Sequence, residues 1–98
     1  MRPPVRHIVR ATEIAFGLPK GAICSSSREK QILIARYLAC WIARRRYGYS
    51  YPVIGQGVNR HHTTVIGSVS LVDHAMKSGR IRADTIELID ERLRGRER

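Results

Sequence analysis

Ninety-eight residues are enough for one domain with one modest core. The apolar content of 43% is ordinary for a globular protein, and no segment approaches the roughly eighteen apolar residues of a membrane span. Eighteen Lys and Arg against eight acids leave a net charge of +10, which excludes an acidic binding module and points to a polyanionic partner.

The charge is uneven. Residues 1–60 hold eleven basic and two acidic side chains (+9), and residues 61–98 hold seven and six (+1). Fifteen of the cations are Arg, the better fork for phosphates and guanine edges.

Pro3-Pro4 can start a helix. Val5, Ile8, Val9, Thr12, Ala15 and Phe16 then recur at helical spacing as far as Gly17. Leu18-Pro19 breaks the pattern, and Pro19 to Cys24 reads as one short helical turn. Ser26-x-x-Glu29 is a capping box announcing the longest helix, about 28–46. Its core stripe is Ile32, Ala35, Ala39, Ile42 and Ala43, widened by Leu38 and Trp41. The helix runs into Arg44-Arg45-Arg46, cations that suit its negative end, and Gly48 stops it.

Ser50 predicts an N-cap, with Pro52 inside the first turn of a short helix from Tyr51 to Gly57. Val58-Asn59 makes the turn. The next helix, about 60–77, puts Val65, Val69, Val72 and Met76 on one face and closes at Lys77-Ser78-Gly79. A last helix spans Asp84 to Leu93 with Ile86, Ile89 and Leu93 inward. The predicted organisation is one domain over 1–94 with a frayed basic tail over 95–98. No strand pattern stands out. The predicted fold is all-α, a compact bundle of about five to six helices.

A short bracing helix, a tight turn and a longer helix follow helix-turn-helix logic, in which the second helix enters the major groove. That helix opens with Arg60, His61, His62, Thr63 and Thr64 before its apolar stripe begins. With Val65 inward on a wheel of about 100° per residue, Thr63, Gly67, Ser70 and His74 lie on the opposite face. Tyr51 and Pro52 are candidates to meet the sugar-phosphate surface.

The string Ser50-Tyr51-Pro52-Val53-Ile54-Gly55, a turn, then Arg60-His61-His62-Thr63-Thr64-Val65 resembles the C-terminal helix-turn-helix domain (domain IV) of the bacterial replication initiator DnaA. That family's signature reads Ser-Leu-Pro-x-Ile-Gly, then Gly-Arg-Asp-His-Thr-Thr-Val. Ser27-Arg28-Glu29-Lys30 and Ile34-Ala35-Arg36-Tyr37-Leu38-Ala39 fall where the family carries its basic loop and the helix after it. The resemblance covers roughly residues 5–76. It implies a helix-turn-helix bundle of the DnaA domain IV or Trp-repressor type, with double-stranded DNA as partner. Arg28, in the loop with Lys30, would enter the minor groove, and Arg36 would contact the DNA backbone. Arg60 opens the signature, Tyr51 and Pro52 match a backbone-contacting pair, and His62, Thr63 and Thr64 match base- and phosphate-contacting residues.

The departures matter too. His61 stands where the family has an Asp that accepts a hydrogen bond from a cytosine amino group. The turn is one residue shorter, Gly67 replaces a frequent His, Tyr37 a frequent Gln, and much of the basic loop is Ser. The expectation is a retained docking mode and an altered sequence read. Arg28, Arg36 and the triple Arg suggest roughly four to eight phosphate contacts.

No GxxxxGK[ST] loop occurs, so neither an ATPase module nor a nucleotide cofactor is expected, and the chain reads as a non-enzymatic, stand-alone regulator of transcription or replication initiation. The alternative is an interaction protein that modulates full-length DnaA or another regulator, with DNA contact secondary. Cys24 and Cys40 are sixteen apart with no CxxC, and with His61 and His62 they show no zinc-finger spacing, so no metal is expected. Two buried or half-buried thiols and a cytoplasmic, nucleoid-associated location are the corresponding expectations. Trp41 and Phe16 are assigned to the core.

Overall fold

The computed structural model describes residues 2–96. Five α-helices follow in the described residues, with no strand: α1 (Val5–Ala15), α2 (Lys30–Trp41), α3 (Tyr51–Val58), α4 (His62–Lys77) and α5 (Ala83–Arg96). A π-helical turn, Ile42–Arg46, continues α2. α2 and α3 both lie against α4, while α1 touches α2, α3 and α5. None of these helices is long and apolar enough to cross a membrane.

Helix α1 starts where the proline pair places it, with the Pro4 carbonyl accepting from the N–H groups of His7 and Ile8. Its buried face meets the stripes of the other helices in one core. Ile8, Leu38, Ile42, Ile54, Val58, Val65, Ile86 and Ile89 are all nearly or wholly excluded from water. The expected inward residues of α2, α4 and α5 are found there, apart from Ile32, which is buried outside this cluster, and Trp41 and Met76, which are half-buried.

Four expectations need correcting. The α1 stripe ends early, because Ala15 is exposed and Phe16 half-buried while Ala11 and Glu13 are buried instead. Glu13 is 1% exposed because the following loop wraps over it. Its Oε2 accepts the N–H groups of Gly21 (3.0 Å) and Ile23 (3.1 Å), and Oε1 pairs with Arg10 at 3.3 Å. This bonding compensates the burial of a carboxylate, which would otherwise be costly.

Second, Trp41 sits at the rim, where its indole N–H donates to Asp73 Oδ1 at 2.8 Å. A polar handle of this kind favours a half-buried indole.

Third, the capping box does not form. α2 begins at Lys30, with Glu29 as the flanking residue and no side-chain cap. The serines instead build consecutive turns, Ser25 Oγ accepting from Ser27 N–H and Ser27 Oγ from Glu29 N–H. Short hydroxyl side chains compete for local backbone groups in this way.

Finally, α5 continues through Gly95 and Arg96, two residues placed in the tail by the sequence. Residues 97 and 98 lie outside the described residues.

Candidate nucleic-acid interface

The turn between α3 and α4 is set by three residues. Ser50 caps α3, its Oγ accepting the Val53 N–H at 3.3 Å. Asn59 ends the helix in the left-handed conformation, φ 58° and ψ 47°, the sole non-glycine positive φ among the described residues. The N–H of Arg60 returns to the Gly55 carbonyl at 2.9 Å and that of Asn59 to Gln56, which closes a Schellman motif. Asn is among the few non-glycine residues that visit this conformation, and its side chain here donates to the carbonyl of Cys24, on the distant basic loop, at 3.3 Å. Gly55 allows the close approach of the next segment, since a Cβ there would lie 2.5 Å from the Arg60 carbonyl oxygen.

α4 begins two residues later than the sequence pattern suggests. Arg60 belongs to the turn, and His61 is the N-cap with extended backbone, φ −65° and ψ 147°. Its Nδ1 accepts the Thr63 N–H at 3.3 Å and sits 2.8 Å from Thr63 Oγ1. The His61 ring leans on His62, centroids 4.3 Å apart. No acid occupies the first turn of α4, so the positive end of its dipole is uncompensated. His61, His62, Thr63, Thr64 and Pro52 are exposed, as are Gly67, Ser70 and His74 further along the outward face.

Across from this helix end lies the basic loop. Arg28 and Lys30 are exposed and make no hydrogen bond or ion pair among the described residues. An open cleft of about 440 Å³ separates loop and helix, lined among others by Ser26, Arg28, Arg36, Arg60, Thr64 and Ser68, with no carboxylate.

Arg36, to which the resemblance gives a DNA-backbone contact, is turned into the loop in this structure. It is 4% exposed. Its Nε donates to the Ile23 carbonyl at 2.7 Å, and its Nη2 to the carbonyls of Ser25 (3.0 Å) and Ser27 (3.3 Å). Arg60 is half-buried and donates through Nη2 to the same Ser25 carbonyl at 2.6 Å, and through Nη1 to the Asn59 carbonyl. Burial, and then the neighbouring Arg60 charge, pull the Arg36 guanidinium below its ordinary pKa. Two cations share one carbonyl oxygen.

The triple Arg is tied into the fold. Arg44 donates to the Tyr49 carbonyl and lies over the Tyr51 ring at 4.4 Å, which leaves Tyr51 half-buried beside an exposed Pro52. Arg45 pairs with Asp73 at 2.7 Å, and Arg46 with Glu87 at 2.6 Å and Asp90 at 2.7 Å. An acid of α4 therefore answers Arg45 and two acids of α5 answer Arg46, and the expected number of phosphate contacts falls. The i, i+3 pair Glu87 and Asp90 was the available sequence signal. Asn59 and the Ser25 carbonyl tie loop to turn, links that sequence reading missed. Asn at the end of a helix pattern was the signal for the first, and nothing marked the second.

Cys24 is half-buried, its Sγ donating to the Gly57 carbonyl, and Cys40 is buried. Burial raises both thiols, Cys24 with help from Glu13 and Cys40 to about 12. At pH 7.5 iodoacetamide is expected to label the native protein slowly, Cys24 before Cys40, and both quickly in denaturant. Mass spectrometry over time checks this; fast native labelling of Cys40 would contradict the burial. No group of three or more metal-ligating side chains occurs among the described residues.

Fold and surface define a DNA-binding module of the helix-turn-helix class, with a basic loop beside its second helix. The family model for the bacterial DnaA protein helix-turn-helix matches residues 5–72, and the chain belongs to that family. It is similar to the chromosomal replication initiator protein DnaA 1 of Chlamydia trachomatis, 27% identical over 84 residues, 86% of this chain and 18% of the relative. The DnaA protein of Deinococcus radiodurans is 29% identical over 90 residues, 92% and 19% of the two chains. That of Pelobacter propionicus is 38% identical over 74 residues, 74% and 16%. The chain spans less than a fifth of the length of these relatives.

Proposed function

We propose that this protein binds double-stranded DNA sequence-specifically, with α4 in the major groove and Arg28 in the adjacent minor groove, as a regulator of transcription or replication initiation. One observation carries the reading. The end of α4 without a first-turn acid, bearing exposed His62, Thr63 and Thr64, faces an exposed Arg28 with no partner among the described residues, across a cleft whose described lining holds no carboxylate. Thr methyls suit thymine methyls, and the Arg fork suits a narrow groove. With Nδ1 of His61 accepting the cap hydrogen bond, Nε2–H is left as a donor toward the groove. A base acceptor then replaces the cytosine amino group that an Asp would read.

Fluorescence anisotropy with random and selected duplexes over a salt series tests the reading. Affinity is expected to fall with a log–log slope of about −3 to −5, roughly 0.9 per phosphate neutralised. Thr63→Ala should lower discrimination by about 1–3 kcal/mol while leaving shuffled DNA unaffected. A flat salt response sinks the proposal. Retention of a full-length initiator from nuclease-treated lysate, without DNA binding, would favour the interaction-protein reading instead.

A further inference from the structure

The loop carrying Arg28 and the turn opening α4 are joined by hydrogen bonds from three side chains, one of them an arginine that the DNA-binding reading alone would send outward. Asn59 Nδ2 donates to the Cys24 carbonyl, Cys24 Sγ to the Gly57 carbonyl, and Arg60 Nη2 to the Ser25 carbonyl. Arg36 closes the loop from inside, through Ile23, Ser25 and Ser27. Ser25 is the shared point, a carbonyl oxygen accepting from two guanidinium groups at 2.6 and 3.0 Å. Charged donors on one oxygen make short, strong hydrogen bonds. Holding two cations together raises their mutual repulsion, and the fold nonetheless keeps both on this loop.

We infer that Arg60, backed by Arg36, is a positioning residue that fixes the separation between Arg28 and the first turn of α4, so that the two grooves are read as one unit. This rests on the proposed DNA-binding function. Arg60 then acts through the loop: Nη1 and Nη2 each give one N–H to a carbonyl, which holds the guanidinium between Asn59 and Ser25 whether or not its remaining N–H groups meet a phosphate. The fork is essential to the role. A lysine keeps the charge at this position but lacks the planar pair of donors that spans Asn59 and Ser25.

The probe is a duplex enriched from a random-sequence pool by the wild-type chain. Its anisotropy-measured affinity is compared for wild type, Arg60→Lys, Arg60→Gln, Arg28→Ala and the Arg60/Arg28 double variants, after melting curves confirm that each folds. A second duplex carries one extra base pair between the segments contacted by loop and helix, a displacement of about 3.4 Å. In the wild type, Arg28→Ala and the inserted pair should each weaken binding roughly tenfold. In the Arg60→Lys or Arg60→Gln background each should cost less than about threefold, a non-additivity diagnostic of coupled sites. Arg60→Lys matching wild type would make Arg60 a simple charge and overturn the inference. So would an Arg28→Ala loss of equal size in every background. A wild-type chain that enriches no sequence overturns the DNA-binding reading, and this inference with it.

Discussion

Arg36→Ala is expected to lower the stability of the fold by about 2–4 kcal/mol, an effect visible without any DNA present. The side chain is 4% exposed and its three hydrogen bonds satisfy the carbonyls of Ile23, Ser25 and Ser27. Truncation leaves the buried Ile23 carbonyl without its partner and opens a space beneath the loop. The other two carbonyls are partly wet, which keeps the estimate in the lower part of what three charge-assisted bonds could contribute. For a domain of this size the melting temperature should drop by roughly 10 °C or more. Arg28→Ala, at an exposed side chain without a partner among the described residues, should stay within about 0.5 kcal/mol of wild type. Denaturant titration of both variants decides the matter. An unchanged midpoint for Arg36→Ala would contradict the stabilising role drawn from these hydrogen bonds.

The same substitution at two glycines is expected to have opposite signs. In Gly55→Ala the new methyl would sit 2.5 Å from the Arg60 carbonyl oxygen and 3.4 Å from the His62 nitrogen, both backbone atoms. Backbone cannot swing aside as a side chain does, so the turn must open. The cost is about 1–3 kcal/mol, after subtracting the usual gain of alanine over glycine in a helix. Gly67, on the exposed face of α4, has nothing within 4 Å of its Cβ position beyond the backbone of its own helix. Gly67→Ala should therefore stabilise the protein by about 0.5–1 kcal/mol. Thermal melts give the two signs directly. If both variants melt lower than wild type, the stated packing around one of these glycines is wrong.

The helix count, the N-cap at Ser50 and nearly all of the apolar stripes could be read from the sequence, because spacing and punctuation report directly on which face is buried. The outward face of α4 was legible for the same reason. What stayed hidden was the bonding of the cations. Arg36 and Arg28 look equivalent in a string of letters, both basic and both matched to DNA contacts. Their difference depends on where three loop carbonyls point after folding, which no local pattern encodes. The Arg44–Arg46 run was hidden likewise, since Asp73, Glu87 and Asp90 reach it only after α4 and α5 have packed. His61 was visible as a departure from Asp. Its use as the cap became clear only from the position of the Thr63 N–H.

The π-helical turn over Ile42–Arg46 acts as an angular offset between the front of the molecule and the reading head. A wider turn inserts an extra residue without breaking the helix, and each residue in an ordinary helix advances the chain by about 100°. Consecutive arginines leave this turn toward different helices, Arg45 to α4 and Arg46 to α5. Just beyond it, Tyr49 holds the Pro3 carbonyl through its hydroxyl at 2.7 Å. Removing a single residue between 42 and 46 would therefore rotate everything downstream and misalign both anchors at once. The length of this segment, more than its composition, sets the bearing of α3 and α4 on the rest of the chain.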